Sequence, residues 1–370
     1  MADRTADERW MRHALAIGSR GLGRTHPNPS VGCVIVSQGK VVGRGATSKG
    51  GRPHAEANAL RAAGSSAKGA TAYVTLEPCA HVGKTNSCAR LLAEAGIARV
   101  MYAIEDPDPR VSGKGARILR EAGIEVAGGC LREEARLANL GYFLRVTENR
   151  PFIALKTATS LDGKIASAGG QSQWITGPAA RRRVHAIRAK FDAIAVGRGT
   201  VEADDPFLTV REIGSNHSPV RIFFDTGLRT SPTNRLAGSA GTHALWIAYG
   251  EGCSNDAVKS WNDVGAKTIC CRRSEDDRVD LRDAMRNFAC LGLTRLLCEG
   301  GAALAGSLLA ADLVDELFCF TAGFALGADG QPSIGRTPWR MLDESPKFEL
   351  AEISIAGKDI LHRWQRTAKE

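Results

Sequence analysis

Two short stretches of the 370-residue chain concentrate its reactive side chains: "PHAEANAL", with His54 and Glu56, and "LEPCAHVGKTNSC", with Cys79 and Cys88. One imidazole and two thiolates can supply three ligands of a tetrahedral zinc and leave the fourth position to water, the arrangement of a catalytic and not a structural site. Zinc at such a site lowers the pKa of a bound water to about 7, so hydroxide forms near neutral pH. Glu56, two residues past the histidine and not itself a ligand, could take the water proton and pass it on to the reacting molecule. Bland readings compete with this one. His54 and Glu56 could be ordinary helix-terminus residues, the thiols could pack in a core, or His81 could close a structural site as fourth ligand. Pro78-Cys79 at the right distance downstream, with each half directly before a helix, favours the open zinc site.

The elements that must position these groups follow from periodicity and turn signals. Thr5-Ala6-Asp7-Glu8 has the pattern of a capping box, and Trp10, Met11, Ala14, Leu15 and Ile17 continue it as a helical apolar stripe that stops at Gly21 and Gly23. "CVIVSQGKVVGRG" reads as a hairpin about a Gln-Gly turn. A helix over about 54–63 follows, then "ATAYVTLEP" as strand, "CARLLAEAG" as helix, "IARVMYAIED" as strand, "GKGARILREAG" as helix and "IEVAGG" as strand. Such alternation predicts an α/β sheet covered on both faces. The polar, proline-ended stretch "RVTENRP" at 145–151 is the expected boundary between domains 1–147 and 148–370. The second block repeats the theme, with "PFIALKTATS", "DAIAVGRGT", "VRIFFDT", "THALWIAYG" and "LTRLLCEGG" as strands and "GPAARRRVHAIRAKF" and "AALAGSLLAA" as helices.

Composition narrows the classes. Ten cysteines are scattered along a chain that opens with a charged stretch instead of an apolar signal core, so free thiols in a reducing, cytoplasmic compartment are expected. No apolar run approaches the ~20 residues that cross a bilayer, so no membrane partner is expected. Residues 1–150 carry 22 Lys+Arg against 14 Asp+Glu and residues 151–370 carry 27 against 26, a net +8 and +1. A basic surface attracts phosphates, on nucleic acid or on a small anion. Dense Lys/Arg runs with interleaved aromatics, as in nucleic-acid channels, are not seen.

The order His-x-Glu, Pro-Cys, Cys resembles the signature of the zinc-dependent deaminases. Nucleoside, cytidine and tRNA deaminases carry Cys-x-x-Cys, whereas eight residues separate Cys79 from Cys88. Together with "THPNPSVGCVIV", "GATAYVTLEPC" and "EDPDPRVSGKGARILREAGI", this spacing closely resembles the deaminase domain of the bifunctional riboflavin-biosynthesis deaminase/reductase family. The resemblance implies a cytidine-deaminase-like three-layer domain with a mixed sheet, one Zn2+ per chain, and hydrolytic deamination of a diaminopyrimidinone that carries a ribosylamino 5-phosphate. It implies that Asn28 contacts the pyrimidine and that Lys84, Thr85 and Asp106 lie near the ribose phosphate. The family's inter-cysteine loop usually reads Gly-Arg-Thr-Pro-Pro-Cys, but here it is Gly83-Lys84-Thr85-Asn86-Ser87-Cys88. Lysine for arginine exchanges a bidentate fork for a point charge, and the loss of two prolines loosens the loop.

"KTATSLDGKIASAGGQSQWITG" and "GRGTVEADDPFLTVR" resemble the reductase half of the same family, whose fold is similar to dihydrofolate reductase. By that resemblance Ala158, Trp174, Thr200, Asp204 and the turn Gly301, Ala302, Ala303, Leu304, Ala305, Gly306 and Ser307 line an NADPH site. Ser172, Arg188, Leu208, Arg211 and Glu299 then hold the substrate, and Lys156 and Asp162 are positioning groups of the same motif. In physical terms "LLCEGGAALAGSLL" is a strand, a glycine turn and a helix that aims free N–H groups at an anion. "GRGT" lacks the full Gly-x-Gly-x-x-Gly fingerprint, which argues against an ordinary Rossmann site. In the reduction, hydride passes to the first ribose carbon while the protein orients the two partners. Family members are dimers or larger homo-oligomers that act on a small phosphorylated pyrimidine, not on nucleic acid. Two other readings of the residues stand beside this one: a tRNA-type base deaminase, and a non-enzymatic zinc module that binds RNA and needs a closed four-ligand site.

Overall fold

The computed structural model describes residues 4–80, 86–109, 111–214 and 217–367. His81, Lys84 and Thr85 lie outside the described residues. The chain divides into two compact units, Met1–Asn149 and Arg150–Glu370.

The first unit runs α1 (Arg4–Gly18), β1 (Gly32–Ser37), β2 (Lys40–Ala46), α2 (Ala55–Ala63), β3 (Thr71–Val74), α3 (Cys88–Glu94), β4 (Arg99–Tyr102), α4 (Lys114–Glu121), β5 (Glu125–Gly128), α5 (Arg132–Ala138) and α6 (Leu140–Glu148). Its sheet has the order β2-β1-β3-β4-β5. β1 is antiparallel to β2 and β3, while β3, β4 and β5 are parallel, so the sheet is mixed. Gln38 and Gly39 both take positive φ at the β1–β2 turn, the conformation that two-residue hairpins require.

Close backbone approach fixes the layers. A Cβ on Gly32 would lie 1.9 Å from the Ala14 carbonyl oxygen of α1, and one on Gly45 would lie 2.3 Å from the Ala55 oxygen of α2. Gly45 pairs with Cys33, the neighbour of Gly32, so the two glycines face opposite sides of the sheet. Helices α1 and α2 therefore cover opposite faces. Met11 and Ala14 of the apolar stripe are fully buried.

One expectation fails here. Thr5 already lies inside α1 and is not its N-cap, Glu8 pairs with Arg12 at 3.0 Å, and Asp7 accepts from the Arg99 guanidinium (2.8 and 2.9 Å) and the Tyr73 hydroxyl (2.8 Å). The division between the two units falls within the polar stretch at 145–151, where α6 runs to Glu148 and Asn149 ends it in the left-handed conformation.

The second unit comprises β6 (Phe152–Thr159), β7 (Lys164–Ala166), α7 (Pro178–Arg188), β8 (Ala193–Gly197), α8 (Arg198–Asp204), β9 (Val220–Phe224), α9 (Arg235–Gly238), β10 (Leu245–Gly250), α10 (Asn255–Asp263), β11 (Lys267–Cys271), α11 (Leu281–Cys290), β12 (Arg295–Cys298), α12 (Ala302–Ala310), β13 (Glu316–Thr321), β14 (Gln331–Pro332), β15 (Phe348–Ala356) and β16 (Asp359–Arg366). Its nine-stranded sheet has the order β11-β10-β9-β8-β12-β6-β13-β16-β15. The first seven are parallel, and β16 and β15 continue antiparallel at one edge. The residues "RGT" read as the end of a strand begin α8 instead. Pro178 opens α7, where its missing N–H costs nothing.

Candidate active sites

His54 directly precedes α2 in extended backbone, and Glu56 sits in the first turn, 3% exposed. The contact of α2 with Gly45 of β2 seats this turn against the sheet. Cys79 leaves β3 on a segment that α4 pins down: Glu77 accepts from the Gly113 N–H (3.0 Å) and the Ala116 N–H (3.1 Å), and a Cβ on Gly115 would strike the Pro78 oxygen at 1.8 Å. Cys88 opens α3 and donates its backbone N–H to Cys79 Sγ at 3.3 Å. Ser87 caps α3 by accepting from the Arg90 N–H at 3.3 Å, a contact that the family's proline at this position could not make.

Three ligand atoms thus converge. His54 Nδ1 stands 3.3 Å from Cys88 Sγ and 3.6 Å from Cys79 Sγ, and all three donor atoms lie within 4.8 Å of one another. A tetrahedral zinc with ordinary bond lengths needs ligand atoms roughly 3.5–3.8 Å apart, so the donor set fits in number, type and spacing. Hydrogen bonding with Cys88, and then with His54, holds the Cys79 thiol down at about 4 against the effect of burial. Contact with Cys79 in turn raises Cys88, and the hydrogen bond to Cys79 raises His54. Burial pushes the Glu56 carboxyl up to about 7, with the Cys79 charge adding to it. A carboxyl so placed can both accept and return a proton near neutral pH.

Asn28 donates through Nδ2 to the Gly51 oxygen at 3.3 Å, on the segment that leads into His54. A side chain on Gly51, whose φ is +85°, would collide with that amide. Asp106 is buried and accepts from the Asp108 N–H (2.9 Å) and the Tyr142 hydroxyl (3.1 Å), and burial raises its pKa. Glu77 and Tyr142 escaped the reading of the sequence. Glu77's partners lie 36 and 39 residues downstream, and no local pattern encodes them.

In the second unit a cleft of about 1500 Å³ opens over the C-terminal ends of β6, β8, β9 and β12. The strand order reverses between β8 and β12, the position at which open α/β sheets bind ligands. Ala158, Trp174, Thr200, Asp204, Gly301 to Ala305 and Ser307 line this cleft, as do Ser172, Arg188, Leu208, Arg211, Glu299 and Lys156. Gly306 does not: it faces the Gly335–Arg336 segment, where a Cβ would lie 3.0 Å from the Arg336 oxygen. Asp162 is also off the cleft wall. It ties two loops together, accepting from Ser160 Oγ (2.6 Å) and from the Leu326 (3.1 Å) and Gly327 (2.7 Å) N–H groups.

Glu299 is the electrostatic centre of the cleft. Arg188 grips it with two nitrogens, the Arg188 Nη2 bond being 2.9 Å, and Lys156 Nζ lies 3.8 Å away. Burial acts to raise the Glu299 carboxyl, and Arg188 and Lys156 more than reverse it, holding it at about 2. Burial lowers Lys156. Arg188 also donates to the Thr209 oxygen at 2.8 Å, so its nitrogens are largely committed to the protein. His185 is a further group absent from the sequence reading; its Nδ1 accepts from the Arg211 N–H at 3.3 Å. Trp174 is 69% exposed, with the Arg181 guanidinium 4.4 Å above its ring. Gly300 (φ +119°) and Gly301 (φ +83°) make the turn into α12 in conformations that other residues rarely adopt. A side chain on Gly301 would press on Thr200 Oγ1 at 3.3 Å, so the bare turn is a cradle open to a phosphate group.

Family comparisons match this division. Residues 4–104 match the cytidine and deoxycytidylate deaminase zinc-binding region, and residues 151–362 match the RibD C-terminal domain. The chain belongs to the RibD family. Riboflavin biosynthesis protein RibD of Escherichia coli is 40% identical over 366 residues, covering 96% of this chain and 98% of that one. A solved structure of Acinetobacter baumannii RibD superposes with a TM-score of 0.88 at 35% identity, covering 99% of this chain and 100% of that one. A diaminohydroxyphosphoribosylaminopyrimidine deaminase/5-amino-6-(5-phosphoribosylamino)uracil reductase from Thermotoga maritima gives 0.85 at 31% identity, covering 98% and 99%. As a RibD protein the chain is a bifunctional deaminase and reductase of riboflavin biosynthesis that uses Zn2+ and NADPH. Its two parts have the cytidine-deaminase-like and reductase folds of the family. Among the described residues no helix is long and apolar enough to cross a membrane.

Proposed function

We propose that the first unit deaminates 2,5-diamino-6-(5-phosphoribosylamino)pyrimidin-4-one and that the second reduces the ribosyl side chain of the product to 5-amino-6-(5-phosphoribitylamino)uracil. The observation that carries the first step is the convergence of His54, Cys79 and Cys88 within 4.8 Å beside the buried Glu56. When bound, zinc keeps its thiol ligands ionised and makes water acidic near neutral pH. The chain's own residues do the rest. Glu56 takes the proton of the attacking water and delivers it to the ring nitrogen; it then takes the hydroxyl proton of the tetrahedral adduct and gives it to the amino group, which leaves as ammonia while the carbonyl forms. Asn28, held on Gly51, orients the pyrimidine, and Lys84, Thr85 and Asp106 serve the ribose phosphate side.

For the second step, NADPH supplies the hydride when bound. The cleft supplies position: Glu299, locked by Arg188 and Lys156, fixes one wall, and Ser172, Leu208 and Arg211 complete the substrate side. The cofactor side is Ala158, Trp174, Thr200, Asp204 and the turn that starts at Gly301. The substrate is a small phosphorylated pyrimidine rather than a nucleic acid, and the chain works as a cytoplasmic homo-oligomer. Ten free cysteines suit a reducing compartment.

The test is product analysis of the zinc-replete protein with the diaminopyrimidinone phosphate, with and without NADPH. Ammonia release in both arms and NADPH oxidation in one are expected. No ammonia from a folded, zinc-loaded sample would remove the deaminase assignment. In Glu56→Gln, deamination should fall by roughly 10²–10⁴-fold while zinc content persists; loss of the metal instead would recast Glu56 as a ligand.

A further inference from the structure

The last turn of α7 bears a buried histidine that neither the substrate set nor the cofactor set includes. His185 is 6% exposed and lines the cleft beside Arg188, which lies three positions on and so on the same side of the helix. Both side chains reach one loop, residues 205–212, which follows α8. Arg188 Nη1 donates to the Thr209 oxygen at 2.8 Å, and His185 Nδ1 accepts the Arg211 N–H at 3.3 Å. A ring that accepts at Nδ1 is neutral and carries its proton on Nε2. Burial, with the Arg188 and Arg211 charges, lowers the His185 pKa against the opposite pull of Glu299 and Glu212, which keeps that acceptor available at neutral pH.

The loop needs such anchors. Asp205 (φ +38°), Leu208 (φ +51°) and Glu212 (φ +63°) all take the left-handed conformation, which residues other than glycine keep only where the surroundings hold them. Leu208 is held by packing in an apolar cluster with Val196, Val201 and Phe223, and Asp205 by accepting the Arg235 N–H at 2.8 Å. At the far end the two α7 side chains do the holding, and the bond to His185 comes directly before Glu212. The two arginines of the substrate set are not equivalent. Arg188 is committed to Glu299 and to the Thr209 oxygen. Arg211 is exposed on the cleft wall, and among the described residues no ion pair engages its guanidinium. Arg211 is therefore the arginine with a fork to offer a phosphate, and its backbone is placed by His185.

We propose that His185 is a positioning residue of the reduction: by accepting the Arg211 N–H it sets where the Arg211 guanidinium stands, and so how tightly the cleft holds the phosphate of the pyrimidine substrate, without touching that substrate itself. A planar guanidinium binds a phosphate through paired, charge-assisted hydrogen bonds whose geometry is exacting. A loop released from α7 would carry the fork off that geometry while leaving Glu299, Arg188 and the glycine turn of the cofactor side in place. This role rests on the reductase reading above.

Steady-state reduction of the deaminated pyrimidine by the full, zinc-loaded chain, followed as NADPH oxidation, tests the role. His185→Leu keeps apolar bulk and removes the acceptor. The KM for the pyrimidine should rise roughly tenfold, while kcat and the KM for NADPH change by less than about twofold. His185→Asn, whose Oδ1 stands where Nδ1 does, should recover most of that loss. Added to Arg211→Ala, His185→Leu should raise the KM by less than about twofold more, because the two residues act through one contact. Should His185→Leu fail to fold, His185→Ala removes the same acceptor without adding bulk and takes its place in both comparisons. An unchanged KM for the pyrimidine, a rise confined to NADPH, an equal loss in His185→Asn, or full additivity with Arg211→Ala would each overturn the proposal. A wild-type protein that oxidises no NADPH with this substrate would overturn the reductase reading itself, a result distinct from those four.

Discussion

The metal centre of the first unit and the cleft of the second solve different chemical problems. In the first, the groups that could hold a metal, His54, Cys79 and Cys88, and the buried Glu56 come from two short segments. In the second, a cleft of about 1500 Å³ is lined from many elements, and the hydride comes from the cofactor. Its walls bind and orient, and the Glu299–Arg188–Lys156 cluster is a closely paired group of charges among them. The concentrated site should therefore fail all at once, while the distributed one should lose function by degrees.

The sharpest way to break that comparison is Cys79→Ala. With one of three ligands gone, zinc should be lost and ammonia release should fall by at least about 10³-fold. Reduction of previously deaminated substrate should change by less than about twofold. Metal analysis and the two half-reactions measured separately decide it; a parallel loss of reduction would show that the sites are not separable. Next comes Glu299→Ala, which leaves Arg188 and Lys156 buried without a counter-charge. Urea unfolding of the second unit should show a loss of about 3–5 kcal/mol, with zinc content intact; a loss under about 1 kcal/mol would mean that the cluster is not a fixed part of the wall.

The smallest effect concerns the frame of the metal site and not its chemistry. The Arg99 hydrogen bond holds Asp7 below its ordinary value despite burial. Its folded value is therefore below the unfolded one, near 3.9. The pair's contribution is fully present above that value and is lost as pH falls through the folded value. Asp7→Asn should cost on the order of 1 kcal/mol at pH 7 and little once the pH has fallen below the folded value. A cost that does not change with pH would assign the effect to packing.

The two sites also differed in how far the sequence disclosed them. His54, Glu56, Cys79 and Cys88 were legible because a metal demands specific atoms, and because each pair lies on a segment whose own turn or helix start is visible in the chain. The cleft residues came through family resemblance, since Ala158, Thr200 or Leu208 carry no chemical mark of their own. Within the turn after β12, Gly301 to Ala305 and Ser307 line the cleft, while Gly306 faces the Gly335–Arg336 segment.

Glu77 shows the same limit from another direction. Its sequence position beside Pro78-Cys79 suggests a part in the metal site, but its carboxylate is spent on the start of α4. The expected capping box at Thr5 fails because α1 already includes Thr5, and the box's acid, Glu8, pairs along the helix with Arg12 at 3.0 Å.

By itself, then, the sequence marked out the donor set of His54, Cys79 and Cys88 with Glu56 beside it, the alternation of strands and helices, and the glycine turn that opens α12. These depend on residue type and short-range spacing. Only the tertiary structure decided that Glu299 is clamped by Arg188 and Lys156, that Glu77 holds the Cys79 segment, and that Asp7 pairs with Arg99. Such contacts join residues tens of positions apart, and the free energy that selects them comes from burial and charge pairing in the folded chain, which no local pattern records.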